Sequence, residues 1–139
     1  LERQFRRYYR QALKSRGLTG LTLLQILESR LDNVIYRMGY ASSRAQARQL
    51  VTHGHFMVND RRTDVPSMQM KPGDVITVRE GSRKKQLIKD LMATADERNT
   101  QDWITRDVKN FSGGITRLPE RTEIDANINE QLIVEYYSR

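Results

Sequence analysis

The chain has 139 residues, enough for one domain with a substantial core or for two small lobes. Its 24 Lys and Arg outnumber 17 Asp and Glu, and the net charge of +7 makes a polyanion the first partner to consider. There is no cysteine and no apolar run of the roughly 18–20 residues that a membrane helix needs, so disulfides, thiolate metal sites and a membrane span are excluded. Because the chain opens at Leu1 within a helical pattern, we expect further residues to precede it.

The positive charge is concentrated in the first 80 residues. Residues 1–20 hold six cations and one acid, and residues 21–80 hold eight cations and six acids, whereas residues 81–139 hold ten of each. We therefore expect the polyanion contacts in the first 80 residues, and a packing and interaction role for the remainder.

The first predicted element is a basic amphipathic helix over residues 2–16. Its apolar side chains recur at helical spacing, with arginines between them: Phe5, Tyr8, Tyr9, Ala12 and Leu13. Six cations and one acid leave little pairing within the helix, which favours a phosphate-facing role. A solvated arginine face, calmodulin-type binding and membrane-surface binding are the alternatives.

A second helix is predicted from Thr22 to Met38, and Gly39 is its left-handed cap. Its apolar stripe is typical of core residues: Leu24, Leu27, Leu31, Val34, Ile35 and Met38. The polar residues Arg30, Asn33 and Arg37 are spaced to form a row pointing away from that core.

A third, short helix is predicted from Ser43 to about Thr52. Ser43 and Gln46 have the spacing of a capping box, in which each side chain bonds to the other residue's amide. Arg44 and Arg48 are four residues apart and share a face. On the opposite face Ala47, Leu50 and Val51 are predicted to pack inward, so the helix presents a basic ridge on an apolar base, which suits a row of phosphates.

A glycine turn between His53 and His55 follows this helix. The histidines could bond nearby carbonyls as structural groups, but their place between a basic helix and Arg61-Arg62 favours contact with RNA. A strand is predicted over Phe56–Asn59, a tight turn at Asn59-Asp60 and a returning strand over Arg61–Val65.

The rest of the chain continues this α+β pattern. Lys71–Asp74 predicts a turn, and Val75–Arg79 a half-buried strand. Beyond it we predict a helix over residues 82–99, a strand at Trp103–Thr105, a turn at Ser112–Gly114, and a strand or helix over residues 132–137.

No enzyme site is indicated. The sequence contains no phosphate-binding glycine loop, no HExxH pair and no nucleophile elbow. Asp32 lies in an apolar helix, where an acid more often caps a turn or pairs with Arg than acts in catalysis. We therefore expect no catalytic residue, no metal and no cofactor.

Several motifs together resemble one known family. They are Glu28–Val34 with Arg37–Gly39, the Arg44–His55 run, Val58-Asn59, Lys71–Val75 and the closing residues Ile128–Arg139. The chain resembles the family of bacterial-type small ribosomal subunit protein four over essentially its whole length. Residues 28–80 are similar to the alpha-L RNA-binding module, which some pseudouridine synthases, bacterial tyrosyl-tRNA synthetases and a heat-shock ribosome-recycling factor also contain.

The resemblance implies an α+β fold, with a helical lobe and an inserted alpha-L RNA-binding module of two helices followed by small antiparallel strands. The implied domains are the basic N-terminal helix and start of the helical lobe at 1–27, the module at 28–80, and a C-terminal helix, strands and closing segment at 81–139 that packs on the N-terminal part.

The resemblance also implies a function. Proteins of this family bind small-subunit ribosomal RNA at a multi-helix junction, nucleate assembly of the subunit body, influence translational accuracy and abut small-subunit protein five, with messenger RNA as a further candidate partner. The implied location is the small ribosomal subunit in the cytoplasm or in an organelle. By analogy the rRNA-binding residues are Arg6, Arg7, Arg10, Lys14, Arg30, Arg37, Arg44, Arg48, His53, His55, Asn59, Arg61 and Arg62. A regulatory RNA-binding module and the RNA-targeting part of a modifying enzyme are the alternatives.

Two features depart from the family pattern. Asp60 stands where the family commonly has Gly, so strain or another turn type is expected in the hairpin. The basic N-terminal arm that carries zinc-binding cysteines in some members has no counterpart in these 139 residues.

Overall fold

The computed structural model describes residues 2–13 and 19–124, and the confirmed fold class is α+β. The helices of these ranges are α1 (Glu2–Leu13), α2 (Thr19–Glu28), α3 (Leu31–Arg37), α4 (Arg44–Thr52) and α5 (Gln86–Asp96). The strands are β1 (Phe56–Val58), β2 (Arg61–Arg62), β3 (Val75–Val78), β4 (Ile104–Asp107) and β5 (Ser112–Ile115). The predicted site residue Lys14 and the closing segment 128–139 lie outside the described residues.

The described residues form two compact units. In the first, α1 packs on α2 through an apolar cluster that contains Tyr8 and Tyr9 of α1 with Leu23 and Ile26 of α2. Arg6, Arg7 and Arg10 are exposed on α1, as the amphipathic pattern predicts. Residues 29–118 form the second unit.

The single helix predicted from Thr22 to Met38 is wrong, because α2 ends at Glu28, Ser29 is a turn residue and Arg30 is extended before α3 begins. Arg30 has φ −62° and ψ 145° and forms an isolated bridge with Gln69. The Leu31 amide donates to the Met68 carbonyl at 2.8 Å, and the Met70 amide donates to the Ser29 carbonyl at 2.8 Å. Pairing with a distant segment thus replaces the helical hydrogen bonds at this point.

The break also changes the predicted polar row. Arg30 precedes α3 rather than lying on it, and Asn33 is buried, with 6% of its surface exposed. The expectation that Arg30, Asn33 and Arg37 form one outward row is therefore wrong for Asn33, whose side chain serves as an internal acceptor described below.

The second unit contains one antiparallel sheet in the order β2-β1-β3-β5-β4. The inward side chains of the sheet and the apolar faces of α3, α4 and α5 form one core, in which Trp103 and Tyr40 are fully buried. The predicted burial of Ala47, Leu50 and Val51 is confirmed, with at most 3% of any of them exposed.

The turn predicted at Ser112–Gly114 is wrong, because these residues belong to β5. Gly113 pairs with Ile76 of β3 and Arg106 of β4. A Cβ at Gly113 would lie 2.6 Å from the Thr105 carbonyl oxygen, so the glycine permits close strand packing rather than a reversal. β5 pairs with β3, and the second compact unit extends to residue 118.

None of the described helices is long and apolar enough to cross a membrane.

Candidate nucleic-acid interface

The start of α4 is fixed by its cap. Ser43 has an extended backbone, and its Oγ accepts a hydrogen bond from the Gln46 amide at 3.0 Å. The Gln46 side chain reaches back to the amide of Ser42 at 2.6 Å, not to that of Ser43, so the predicted capping box is formed in one direction only. The cap makes Arg44 the first residue of the helix and sets the direction of its exposed face.

Arg44 is exposed but held by two neutral groups of α3. Its Nε donates to Asn33 Oδ1 at 2.7 Å, and its guanidinium carbon lies 4.7 Å from the centre of the Tyr36 ring. The guanidinium of Arg37 lies 5.9 Å from the same ring. These contacts orient the Arg44 side chain, and neither cancels its charge. Arg48, one turn further along α4, is exposed as predicted.

Arg30 is positioned differently. Its Nε and Nη2 donate to the two carboxylate oxygens of Asp32 at 3.2 and 3.1 Å, and the two side chains are only 16% and 12% exposed. Asp32 Oδ1 also accepts from the Asn33 amide at 2.7 Å. Asp32 therefore pairs with Arg and supports the first turn of α3, the role that the sequence favours over catalysis.

The histidine turn separates its two rings. Gly54 has φ +79°, which permits the reversal, and His53 is exposed. His55 is 9% exposed, and its Nδ1 lies 2.8 Å from the buried hydroxyl of Ser82. Burial lowers the pKa of His55 below its ordinary value, and the positive charges of Lys85, His53 and Arg79 lower it further. This geometry supports the structural alternative for His55 and leaves His53 available to a ligand.

The hairpin places two arginines opposite β1, since Met57 pairs with Arg62 and Val58 with Arg61. Both arginines are exposed. The Arg62 guanidinium would lie 3.7 Å from a Cβ built at Gly54, so this cation sits beside the histidine turn. The structure thus brings the end of α4 and the hairpin together, in a cleft lined by Thr52, His53, Gly54, Arg62, Thr63 and Asp64.

Asn59 and Asp60 both have left-handed backbones, with φ of 50° and 65°. Positive φ at both central residues is the geometry of a type I′ turn, so Asp60 adopts the conformation in which glycine is preferred. The Asn59 side chain donates to Asp74 Oδ1 at 2.9 Å and accepts from the Val75 amide at 2.9 Å. Asn59 therefore links the hairpin to the turn before β3.

A further group of cations, not predicted from the sequence, follows the sheet strand β3 and continues onto α5. Residues 81–139 carry no net charge, but Arg83-Lys84-Lys85 follow the 3₁₀ turn Glu80–Ser82, and Lys89 lies on α5. The run of three consecutive basic residues indicates this cluster in the sequence, but the net charge of the 59 residues 81–139 is zero and does not show it. Among the described residues no group of three or more His, Cys, Asp and Glu side chains is placed to hold a metal ion.

Two family models together match residues 1–76 of the chain. Residues 1–28 match the family model described as the ribosomal protein S4/S9 N-terminal domain, and residues 29–76 match the S4 domain. The small ribosomal subunit protein uS4 of Natranaerobius thermophilus is 53% identical over 139 residues, which are 100% of this chain and 66% of that protein.

Two further uS4 proteins are similar at the same level. That of Herpetosiphon aurantiacus is 55% identical and that of Persephonella marina 49% identical, over 100% and 99% of this chain and 67% of each relative. The chain thus spans about two thirds of the length of these relatives.

Proposed function

The chain belongs to the uS4 family of small ribosomal subunit proteins, a non-enzymatic, rRNA-binding family, and we propose that its exposed cations hold the phosphates of a folded junction in small-subunit rRNA. One observation carries this proposal: Arg44 and Arg48 are exposed on a capped helix whose opposite face is buried core. The core fixes the helix, so the two charges are held at a defined spacing.

The physical basis is recognition by phosphate position. Residues four apart on a helix have Cβ atoms roughly 5–6 Å apart, so Arg44 and Arg48 can contact successive parts of one RNA backbone. A-form RNA has a deep, narrow major groove that side chains cannot read, so fixed charges recognise the shape of the RNA rather than its sequence. Arginine suits this task because its planar fork binds two phosphate oxygens together.

The proposed contacts within the second unit are the exposed cations of α4, the histidine turn and the hairpin. These are Arg44, Arg48, His53, Arg61 and Arg62, with Arg37 beside them on α3. In the first unit, Arg6, Arg7 and Arg10 of α1 are proposed as further contacts. Three other predicted contact residues bind partners within the protein: Arg30 contacts Asp32, Asn59 contacts Asp74, and His55 contacts Ser82. We therefore propose that these three residues mainly support the surface.

The proposal extends to the role of the protein in the subunit. We infer that binding to the junction nucleates assembly of the subunit body, that it influences translational accuracy, and that small-subunit protein five is a neighbour. The division at 1–27, 28–80 and 81–139 is also proposed, and the S4 domain match over residues 29–76 supports its central part.

RNA selectivity tests the proposed function. The full chain is titrated with a small-subunit rRNA fragment that contains the junction, with tRNA, and with a duplex of equal length. We expect tighter binding to the junction and a log-log slope with salt of about −4 to −6, if roughly six to eight cations neutralise phosphates. Equal affinity for all three RNAs would contradict junction binding, and preference for a messenger fragment would support the regulatory alternative.

Co-sedimentation provides an independent check. Protein added to small subunits that lack it should migrate with them in a sucrose gradient and should be released at high salt. Protein that stays at the top of the gradient at low salt would contradict assembly into the subunit.

A further inference from the structure

A second group of cations lies where the chain leaves the sheet. Residues 79–89 contain five basic side chains and one acid: Arg79, Arg83, Lys84, Lys85 and Lys89, with Glu80. Lys84, Lys85 and Lys89 are exposed, and we refer to these three as the α5 face.

The backbone before the α5 face is fixed to the histidine turn. The Arg79 amide donates to the His55 carbonyl at 2.8 Å. Three residues later the fully buried Ser82 places its hydroxyl 2.8 Å from His55 Nδ1. These two contacts hold the 3₁₀ turn Glu80–Ser82 against the end of α4, so the cations that follow start from a fixed position.

Lys85 and Lys89 repeat the arrangement of Arg44 and Arg48. Lys85 is the N-cap of α5, and the Lys89 amide donates to the Lys85 carbonyl at 3.0 Å, so the residues are one helical turn apart. The opposite side of α5 is anchored in the core by Ile88, Leu91, Met92 and Ala95. As on α4, two exposed charges at i and i+4 stand on a helix whose other face is buried.

Helix stability does not explain these cations. Lys85 makes no side-chain capping bond, and the first turn of α5 contains no acid. The partial positive charge at a helix N-terminus favours acids and disfavours cations, so Lys84 and Lys85 stand where their charge opposes the helix dipole. Arg83 has a structural role, because its Nε donates to the Val78 carbonyl at 3.0 Å and its guanidinium lies 4.8 Å from the Phe111 ring centre.

The α5 face is continuous with the α4 surface through the histidine turn. The rings of His53 and His55 lie 6.4 Å apart, and His55 contacts the Arg79 amide through its carbonyl and the Ser82 hydroxyl through Nδ1. The histidine turn therefore links the end of α4 to the residues that precede α5. His53 is the C-cap of α4, and Lys85 is the N-cap of α5.

We infer that Lys84, Lys85 and Lys89 form a second phosphate-binding face for rRNA, joined to the α4 surface at His53. This inference rests on the proposed function, since it assigns a second stretch of the same RNA backbone to the same unit. The α5 face takes phosphates by charge alone, because ammonium groups on flexible stems act as point charges.

Paired substitutions test the inference on the full chain with the junction fragment as probe. The Lys85→Gln/Lys89→Gln variant should bind more weakly, and its log-log slope with salt should be smaller in magnitude by about 1.4–1.8, the loss of two phosphate contacts. The Lys85→Arg/Lys89→Arg variant keeps both charges and should retain the slope. Circular dichroism should show that the double Arg variant melts like the wild type and that the double Gln variant melts no lower, because the substituted side chains are exposed and loss of the Lys85 charge relieves its opposition to the helix dipole.

A control variant that loses the same charge elsewhere distinguishes a direct phosphate contact of the α5 face from the general attraction of a basic protein to RNA. Lys71 is exposed in the turn before β3, at the strand end opposite to Arg79. Lys71→Gln should change the slope less than Lys85→Gln does. The inference of an α5 face is wrong if the double Gln variant keeps the wild-type salt slope, or if the Lys71→Gln and Lys85→Gln variants change the slope equally. In either case, binding of the wild-type chain to the junction still supports the proposed function. Failure of the wild-type chain to bind the junction would overturn both.

Discussion

Alanine substitutions at the two arginines of α4 should differ in their effect on protein stability but have similar effects on RNA binding. Arg44→Ala removes the hydrogen bond to Asn33 Oδ1 and the contact with the Tyr36 ring. A net hydrogen bond contributes about 0.5–1.5 kcal/mol, and a cation–π contact at an exposed site contributes about 0.5–1 kcal/mol. We therefore expect Arg44→Ala to lower the free energy of unfolding by about 1–2.5 kcal/mol.

Arg48→Ala should leave stability almost unchanged. Arg48 is exposed, and alanine is the best helix former, so the change in the free energy of unfolding should lie within about 0.5 kcal/mol. A loss of 1 kcal/mol lowers the melting temperature of a unit of this size by about 4–8 °C, so the two variants are readily distinguished in a thermal scan.

Binding to the junction fragment provides the second measurement. If each arginine holds one phosphate, each Ala variant should reduce the magnitude of the salt slope by about 0.7–0.9. Arg44→Lys is the matched control, because it keeps the charge while losing the fork geometry, and it should retain most of the slope. The reasoning is refuted if Arg48→Ala lowers the melting temperature as much as Arg44→Ala does, or if neither Ala variant changes the slope.

Three other predictions concern the fold of the second unit. Asp60→Gly should raise the free energy of unfolding by about 0.5–1 kcal/mol in urea denaturation, because φ of 65° is strained for Asp; a lower midpoint would contradict this. Gly113→Ala should cost about 1–3 kcal/mol by overpacking, whereas Gly81→Ala, with open space around it, should cost far less; similar losses would argue against close strand packing at Gly113. Because burial lowers the pKa of His55, the unfolded chain binds the extra proton, so stability should fall as the pH drops below about 6.5. The urea midpoint of the His55→Gln variant should change less with pH than that of the wild type. Parallel plots of midpoint against pH for the two proteins would contradict a lowered pKa of His55.

Local pattern predicted the parts of the site that depend on one helix. The Ser43 cap, the buried face of α4 and the exposure of Arg44 and Arg48 follow from spacing alone, because cap and period are properties of adjacent residues. The tight turn at Asn59-Asp60 was predicted for the same reason.

The elements that were predicted wrongly depend on pairing between segments that are distant in the sequence. Apolar residues repeat at helical spacing through Ser29-Arg30, but a bridge to Gln69 ends α2 there. Two adjacent glycines at 113 and 114 suggest a turn in isolation, and only the neighbouring strands show that a Cβ would not fit. In both places partners far along the chain overrule the local preference.

The contacts of each cation decide what it can offer to RNA. Arg30 is held in two bonds by a carboxylate, so a phosphate there would compete with an existing ion pair. Arg44 is oriented by the Asn33 side-chain amide and the Tyr36 ring, so its side chain is already ordered before RNA binds. Ordering a flexible side chain on binding costs about 0.5–1.5 kcal/mol, and Arg44 avoids much of that cost. Lys85 and Lys89 are exposed, and lysine carries a point charge on a long flexible stem, so their contribution should be mainly electrostatic and should weaken fastest with salt. We therefore propose that the first turn of α4 fixes the register of the RNA and that the α5 face adds charge around it.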